Sequence, residues 1–343
     1  MTAAPAEPPP ALLPALLPVV LPVVLPVLLH RGDAQHGVDR CAKSLADATR
    51  AMHPGVRLEL DGDASDAERV HLHFTDRLWG ASPESAADAV EAIAAGSRVA
   101  VTLHDVPQVS DGVASMRRRT EAYRRVVDAA ELVVCNSRHE RALLRAALGD
   151  VAAEVVPLPA AAPLPRPQRW EPLAEVAVLG FFYPGKGHRE AVDAVASLEP
   201  SIAVTAIGRA APGHEAELAE LQRYAAARGV HLSATGFVPD DGLLERARRA
   251  AVPVVAHQHV SASGSLNDWI AAGRRPITIV NDYFAEMAAL RPGTVELVER
   301  DGLAAAVAAA LLDPSRTWLP DDASSAPHLD DTAAAYLDLW AAW

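Results

Sequence analysis

Short apolar runs rich in valine, isoleucine and leucine alternate with helix-forming stretches along most of the chain, and this alternation narrows the fold more than any other feature. Runs that short and that uniformly apolar suit strands buried on both faces, which means parallel strands covered by helices. Parallel neighbours need a crossover, and a helix is the usual one. In the first half, strands are expected at 23–29, 70–74, 98–107 and 131–137. Helices are expected from about Val38, over 115–130 and over 138–148, the last capped by Ser137. The proline-rich stretch AAAPLPRPQRWEP then interrupts the pattern. The second half repeats it, with strands at 175–182, 201–208, 231–237, from Val252 and at 277–281, and helices within 183–198, 214–229, 240–250 and 303–312. The expectation is an α/β protein of two doubly wound Rossmann-like domains facing each other across a cleft. Its parts are a tail at 1–22, a first domain at 23–162, a linker at 163–172, a second domain at 173–325 and a helix within 326–343 that packs back across the domains.

The tail reads PPPALLPALLPVVLPVVLPVLL from Pro8 to Leu29. Its apolar length suggests a membrane span, but Pro14, Pro18, Pro22 and Pro26 recur at every fourth position and remove helix hydrogen bonds repeatedly. No basic region precedes it, as a signal peptide would require. It reads as an extended tail whose last residues enter the first strand; a start codon upstream of the native one would also produce it. The formal net charge of -13 argues against a nucleic-acid partner, because a phosphate-neutralising surface is missing. Cys41 and Cys135, the two cysteines, form no metal or redox motif and suit buried thiols in a reducing cytoplasm.

The segment from Val252 to Ile277, VPVVAHQHVSASGSLNDWIAAGRRPI, carries the strongest chemical signal. An apolar strand feeds a loop of small residues, Ser261 to Ser265, and then a helix from Leu266 to Ala272 stopped by Gly273. Free amides and the helix dipole at such a junction favour an anion, and serine and glycine let it approach. Asp268, placed in the first turn, can reach a ribose hydroxyl beside a bound phosphate. The same residues also suit an ordinary strand–loop–helix joint with an N-cap serine.

Other polar positions are less specific. His71 and His73 alternate onto one strand face, but no third ligand accompanies them, so a metal is not expected. His104 and Asp105 end a strand where open α/β sheets bind ligands, although a lone histidine there also serves as a structural residue. Arg117, Arg118, Arg119, Arg124 and Arg125 make a basic amphipathic helix. It could meet an anionic lipid surface or an acidic acceptor, but a solvated face is the expected reading, so peripheral membrane contact is possible and not favoured.

Taken in order, QHGVDRCAKSLA, VTLHDVP, LVVCNSRHE, VAVLGFFYPGKGH, TGFVPDDGLLERARRA and SGSLNDWIAAGRRPI make the chain resemble the retaining, nucleotide-sugar-dependent glycosyltransferases of family 4, which have the GT-B fold. The resemblance covers almost everything after about residue 27. It implies that Lys186 pairs with the donor diphosphate, that Gly264, Ser265 and Leu266 offer amides to the distal phosphate, and that Asp268 holds the ribose as the second carboxylate of the family's Glu-x7-Glu motif. Phe237, Val238 and the loop to Asp240 would border the base, His104 would lie near the reacting sugar, and Gly37 would approach the donor phosphates. The chain departs from the family in two places. Phe181 and Phe182 follow Gly180 where an arginine is usual, and Val260 stands where the first glutamate belongs, beside His259 and Ser261.

The resemblance further implies hexosyl transfer with retention from a nucleoside-diphosphate sugar to a hydroxyl on a sugar, lipid or small-molecule acceptor. The donor is a co-substrate and no cofactor is implied. No divalent metal is implied either, and the strands read here end in no Asp-x-Asp pair. Catalysis would rest on His104 and on stabilisation of the leaving diphosphate by Lys186 and the helix N-terminus. The rival reading is a catalytically silent GT-B homologue that binds nucleotide as the partner subunit of an active transferase.

Overall fold

The computed structural model describes residues 24–32, 36–60, 67–198 and 202–343. The proline-rich tail expected at 1–22 lies outside the described residues.

The first domain runs β1 (Val27–His30), α1 (Gly37–Met52), β2 (Arg57–Leu60), β3 (Arg69–Phe74), α2 (Asp76–Trp79), α3 (Pro83–Ala94), β4 (Arg98–Leu103), α4 (Val113–Ala129), β5 (Leu132–Cys135), α5 (Arg138–Leu148) and β6 (Glu154–Val155). The second runs β7 (Leu173–Leu179), α6 (His188–Ala196), β8 (Ala203–Ile207), α7 (Glu215–Ala226), β9 (Leu232–Ala234), α8 (Asp240–Arg248), β10 (Ala250–Val255), α9 (Gly264–Ala271), β11 (Ile277–Ile279), α10 (Asp282–Leu290), β12 (Glu296–Val298) and α11 (Leu303–Leu312), followed by α12 (Leu329–Ala342).

Each domain is built on a six-stranded sheet, with orders β2-β1-β3-β4-β5-β6 and β12-β11-β10-β7-β8-β9. All strand pairs are parallel. The order reverses between β1 and β3 in the first sheet and between β7 and β10 in the second, so each sheet has one crevice at the carboxyl ends of its strands. Both faces of each sheet carry a separate core. In the first domain Leu72, Phe74, Val101 and Tyr123 pack on one side, while Leu28, Leu45, Tyr336 and Trp340 pack on the other. In the second, Val178, Val192 and Val307 oppose Leu179, Trp269 and Phe284. The second core of the first domain is completed by α12, which returns from the end of the chain to lie on α1.

Several local expectations change. The strand expected over 98–107 stops at Leu103 because Asp105 takes a positive φ of 52°, a turn that ends the ladder. The α4 arginines other than Arg119 do lie on a solvent-facing side, but that side is ion-paired. Arg118 makes a two-pronged contact with Glu84, Arg125 reaches Asp88 and Glu91, and buried Arg119 binds Asp76 and Asp111, so α4 is laced to the acidic side of α3 and its flanks. β2 was not expected; the sequence Asp61-Gly62-Asp63 that follows it is an Asp-x-Asp, and it lies outside the described residues. Among the described residues, no helix is long and apolar enough to cross a membrane.

Candidate active site

The crevice between β7 and β10 places two loops side by side. One is YPGKG after β7; the other runs from β10 to α9. Gly187 takes φ 100°, and a Cβ there would come within 2.7 Å of the Ala256 backbone, so only glycine lets the two loops pack this closely. Gly180 takes φ 103°, and its missing side chain leaves room for the Lys186 ammonium, which would lie 3.4 Å from a Cβ. Lys186 Nζ donates to Ser265 Oγ at 3.2 Å, at the start of α9. The α9 N-cap is Ser263, whose hydroxyl accepts from the Leu266 amide. Gly264 and Ser265 are thus the first two helical residues, and their amides have no intrahelical partner. The helix begins two residues earlier than expected, which moves Asp268 into its second turn.

These residues line a cleft of about 290 Å³ that also includes Gly37, Arg40, Phe181, Arg209, Phe237, Val238 and Asp240. Of the sequence-identified donor residues, Gly37, Lys186, Phe237, Val238, Gly264, Ser265 and Asp268 meet here. Leu266 does not: its side chain is fully buried in the core and its amide is held by Ser263. Where no cation follows Gly180, two arginines from elsewhere line the cleft. Arg209, at the end of β8, lies 5.3 Å from the Phe181 ring, and Arg40 of α1 crosses from the first domain to pair with Asp240 at 2.7 Å. No local signal marked either arginine.

The charges are poised by burial. Lys186 is pushed down to about 8 by desolvation, offset in part by Asp268 and Asp105. Asp268 is pushed up to about 6 by desolvation, against the pull of Arg40 and Lys186. The site therefore sets a desolvated cation beside a desolvated anion, a pairing that suits an anionic, hydroxyl-bearing ligand.

His104 does not line this cleft; it is buried at the end of β4 against His73. Its Nδ1 is 3.4 Å from Asn136 Nδ2, whose amide hydrogens point to Leu103 O at 2.8 Å and to Glu140 Oε2 at 2.9 Å. An NH2 group cannot accept, so Nδ1 is the bare nitrogen. Burial holds His104 neutral, with its pKa lowered to about 3, so the proton sits on Nε2 and is donated to His73 Nδ1 at 3.1 Å. His73, held neutral by the same desolvation, then carries its proton on Nε2, which has no partner among the described residues. Its strand neighbour His71 is satisfied on both sides, by Trp340 Nε1 at 2.7 Å and by Thr102 Oγ1 at 2.9 Å. Among the described residues, no group of three or more His, Cys, Asp or Glu side chains could hold a metal ion.

Glu140 joins the two domains beneath the site. One carboxylate oxygen accepts from Ser261 Oγ and the other from the Asn136 amide at 2.6 Å, while Ser261 Oγ accepts from the Val106 amide at 3.2 Å. The loop leading into α9 is thereby tied to the strand ends that hold His104. Burial pushes Glu140 up to about 7, against the downward pull of Ser261 and Asn136. A carboxyl whose folded pKa is raised binds more protons folded than unfolded between its two pKa values, so its contribution to stability falls as pH rises from about 4.5 to 7. Glu140→Gln cannot ionise. The melting-temperature advantage of the natural protein over Glu140→Gln is expected to shrink across that interval and level off above pH 7; an unchanged difference would contradict it.

No protein-family model matches the chain, and no curated protein matches it in sequence. Solved structures do match in shape. HepE of Anabaena, solved in complex with UDP and glucose, is 14% identical with a TM-score of 0.65 over 92% of this chain and 95% of that one. Sucrose-phosphate synthase of Thermosynechococcus elongatus gives 14% and 0.65 over 92% and 94%. A trehalose-6-phosphate synthase gives 12% and 0.54 over 89% and 79%. At these identities the likeness establishes the fold, the two-domain Rossmann-like GT-B arrangement.

Proposed function

We propose that this chain is a retaining glycosyltransferase that moves a hexosyl group from a nucleoside-diphosphate sugar to an acceptor hydroxyl. The observation that carries the reading is the meeting of Lys186, the free N-terminal amides of α9 and Asp268 on one wall of an interdomain cleft. That set matches a diphosphate joined to a ribose. The structures similar to this chain in fold include one solved with UDP-glucose, in keeping with a nucleotide-sugar donor.

In the reaction, the bond from the anomeric carbon to the diphosphate oxygen breaks and a bond to the acceptor oxygen forms on the same face. The acceptor proton passes to the departing diphosphate. Negative charge grows on that leaving group, and Lys186 with the α9 N-terminus stands where it develops. His104, neutral and with its ring nitrogens turned to His73 and Asn136, acts by positioning those neighbours rather than by acid catalysis. The reading includes no divalent ion, and its check is activity in the presence of EDTA.

A panel of nucleotide sugars tests the proposal. Release of nucleoside diphosphate with at least one donor is expected; tight nucleotide binding with no turnover across the panel would instead indicate a binding subunit. His104→Ala should lower turnover and leave nucleoside-diphosphate affinity nearly intact, because that ligand lacks the sugar. Equal loss of both, or a large drop in melting temperature, would assign His104 a structural role.

A further inference from the structure

The donor cleft opens inward onto a second chamber of about 410 Å³, and Gly37, Arg40, Asp240, Leu243, Gly264 and Asp268 line both spaces. Among the described residues, the second domain supplies every wall of the donor cleft except two positions in the first turn of α1, Gly37 and Arg40. Glycine brings no side chain. Among the described residues, the Arg40 guanidinium is thus the one group through which a first-domain side chain meets a ligand in this cleft.

Arg40 gains little from its own helix. It is the fourth residue of α1, at the positive end of the helix, where the dipole favours an acid over a cation. The acid in that turn, Asp39, is buried and committed to Lys43 at 2.9 Å and to the amides of Arg31 and Gly32. Arg40 instead reaches out of its domain, and its Nη1 donates to Asp240 at 2.7 Å. Both side chains are in contact with solvent, at 45% and 67% exposure, and an ion pair of that kind contributes little to stability. Asp240 does not depend on the arginine either. It is the first residue of α8, and that helix's N-terminus already favours its carboxylate. The pair therefore parts at small cost, and the charge of its cation is felt inside the cleft. Of the groups that oppose the desolvation of Asp268, Arg40 leads and Lys186 follows.

A diphosphate brings several negative charges to Lys186, which is a single ammonium. A planar guanidinium can take two phosphate oxygens at once. We infer that Arg40 belongs to the bound donor: when a nucleotide sugar enters, the guanidinium leaves Asp240 and pairs with the diphosphate from the side of the first domain. This rests on the transferase reading and adds to it a cation delivered by the other domain. The growing charge of the leaving group then draws on both domains. In the empty protein Asp240 competes with the ligand for Arg40, and so helps to set donor affinity.

Isothermal titration of the full chain with UDP, GDP, ADP, CDP and dTDP selects the nucleoside diphosphate that binds most tightly, and its parent nucleoside serves as the control. Arg40→Met keeps the reach of the side chain and removes its charge. It should weaken the diphosphate by about 10-fold, the lower end for a charge-assisted hydrogen bond because the guanidinium is partly in solvent, and leave the nucleoside unchanged. Arg40→Lys should recover only part of the loss, since an ammonium lacks the planar fork. Asp240→Asn should tighten the diphosphate several-fold by freeing Arg40. Removing an acid from the cleft helps an anion in any case, so the gain is compared in two backgrounds. It should be larger with Arg40 present than in the Arg40→Met protein. Melting temperatures should stay near that of the natural protein, as expected of an exposed pair.

Diphosphate affinity that falls in Lys186→Ala but not in Arg40→Met would overturn the role of Arg40 and leave the transferase reading standing. Equal loss of nucleoside and diphosphate in Arg40→Met would also overturn it, by assigning Arg40 to the base, the ribose or the fold. A gain from Asp240→Asn that is the same in both backgrounds would overturn the exchange with Asp240. No binding by any of the five nucleoside diphosphates would overturn the inference and the transferase reading together.

Discussion

Lys186→Ala is expected to lower turnover by about 10²- to 10³-fold, the scale for losing one preorganised group aimed at developing negative charge. The side chain is only 8% exposed and its ammonium points at the first turn of α9, so no solvent cation can take its place at the same cost. Its depressed pKa adds a pH signature. Lys186 is charged below about 8 and neutral above, whereas a bound diphosphate favours the charged form. Diphosphate affinity should therefore fall as pH rises through 8, binding in that range should take up a proton, and both effects should vanish in the variant. Isothermal titration in two buffers of different ionisation enthalpy measures the proton directly. The same shift predicts an effect of opposite sign on stability. Below about 8 the empty folded state bears a desolvated ammonium that the unfolded chain does not, a cost relieved as pH rises from 8 toward 10.5. Lys186→Met should raise the stability of the empty protein at pH 7 by on the order of 2–3 kcal/mol while abolishing efficient turnover. A variant that turns over normally, or that melts lower, would remove Lys186 from the site.

How much of this was legible in the sequence depends on how local the signal is. Buried parallel strands announce themselves as uninterrupted apolar runs, and β3, β5, β7, β8 and β10 were all visible that way. The edge strands β2 and β12 were not, because RLEL and ELV are short and carry charges that an edge tolerates. Helix α3 was overlooked although Ser82 and Pro83 mark its start; its alanine-rich body offers little contrast between faces. The partners of the α4 arginines were not legible, because a charge pattern on one helix says nothing of the acids on its neighbour. At the site, Lys186, Gly264, Ser265 and Asp268 lie in motifs whose spacing carries the chemistry. Arg40, His73, Asn136 and Glu140 acquire their positions only when strand ends from two sheets come together, and nothing adjacent in the chain foretells that. The absent acid at Val260 shows the point well. The loop around it is still tied to a carboxylate, but that carboxylate, Glu140, comes from the opposite domain and reaches Ser261 rather than the cleft.

Asp268→Asn is expected to weaken binding of any ligand carrying a ribose diol, by about 10- to 100-fold, the equivalent of one charge-assisted hydrogen bond. The amide preserves the shape, so lost packing does not confuse the result. Asp268 stands one turn into α9, beyond the amides that face the phosphates, and on the border between the donor cleft and the inner chamber. A nucleoside without phosphates should respond to Asp268→Asn and be indifferent to Lys186→Ala. A 2′,3′-dideoxynucleoside diphosphate should show the reverse. The pH dependence follows from the raised pKa: burial holds Asp268 near 6, so the carboxylate is ionised at neutral pH and protonates as pH falls through 6. Nucleoside affinity of the natural protein should therefore decline below pH 6, and that of Asp268→Asn should stay flat. The two residues also sense each other's charge, so removing Asp268 should lower the Lys186 pKa further and shift the alkaline limb of diphosphate binding to lower pH. A nucleoside that responds equally to both substitutions, or an alkaline limb that does not move, would mean that Lys186 and Asp268 do not flank a single bound nucleotide.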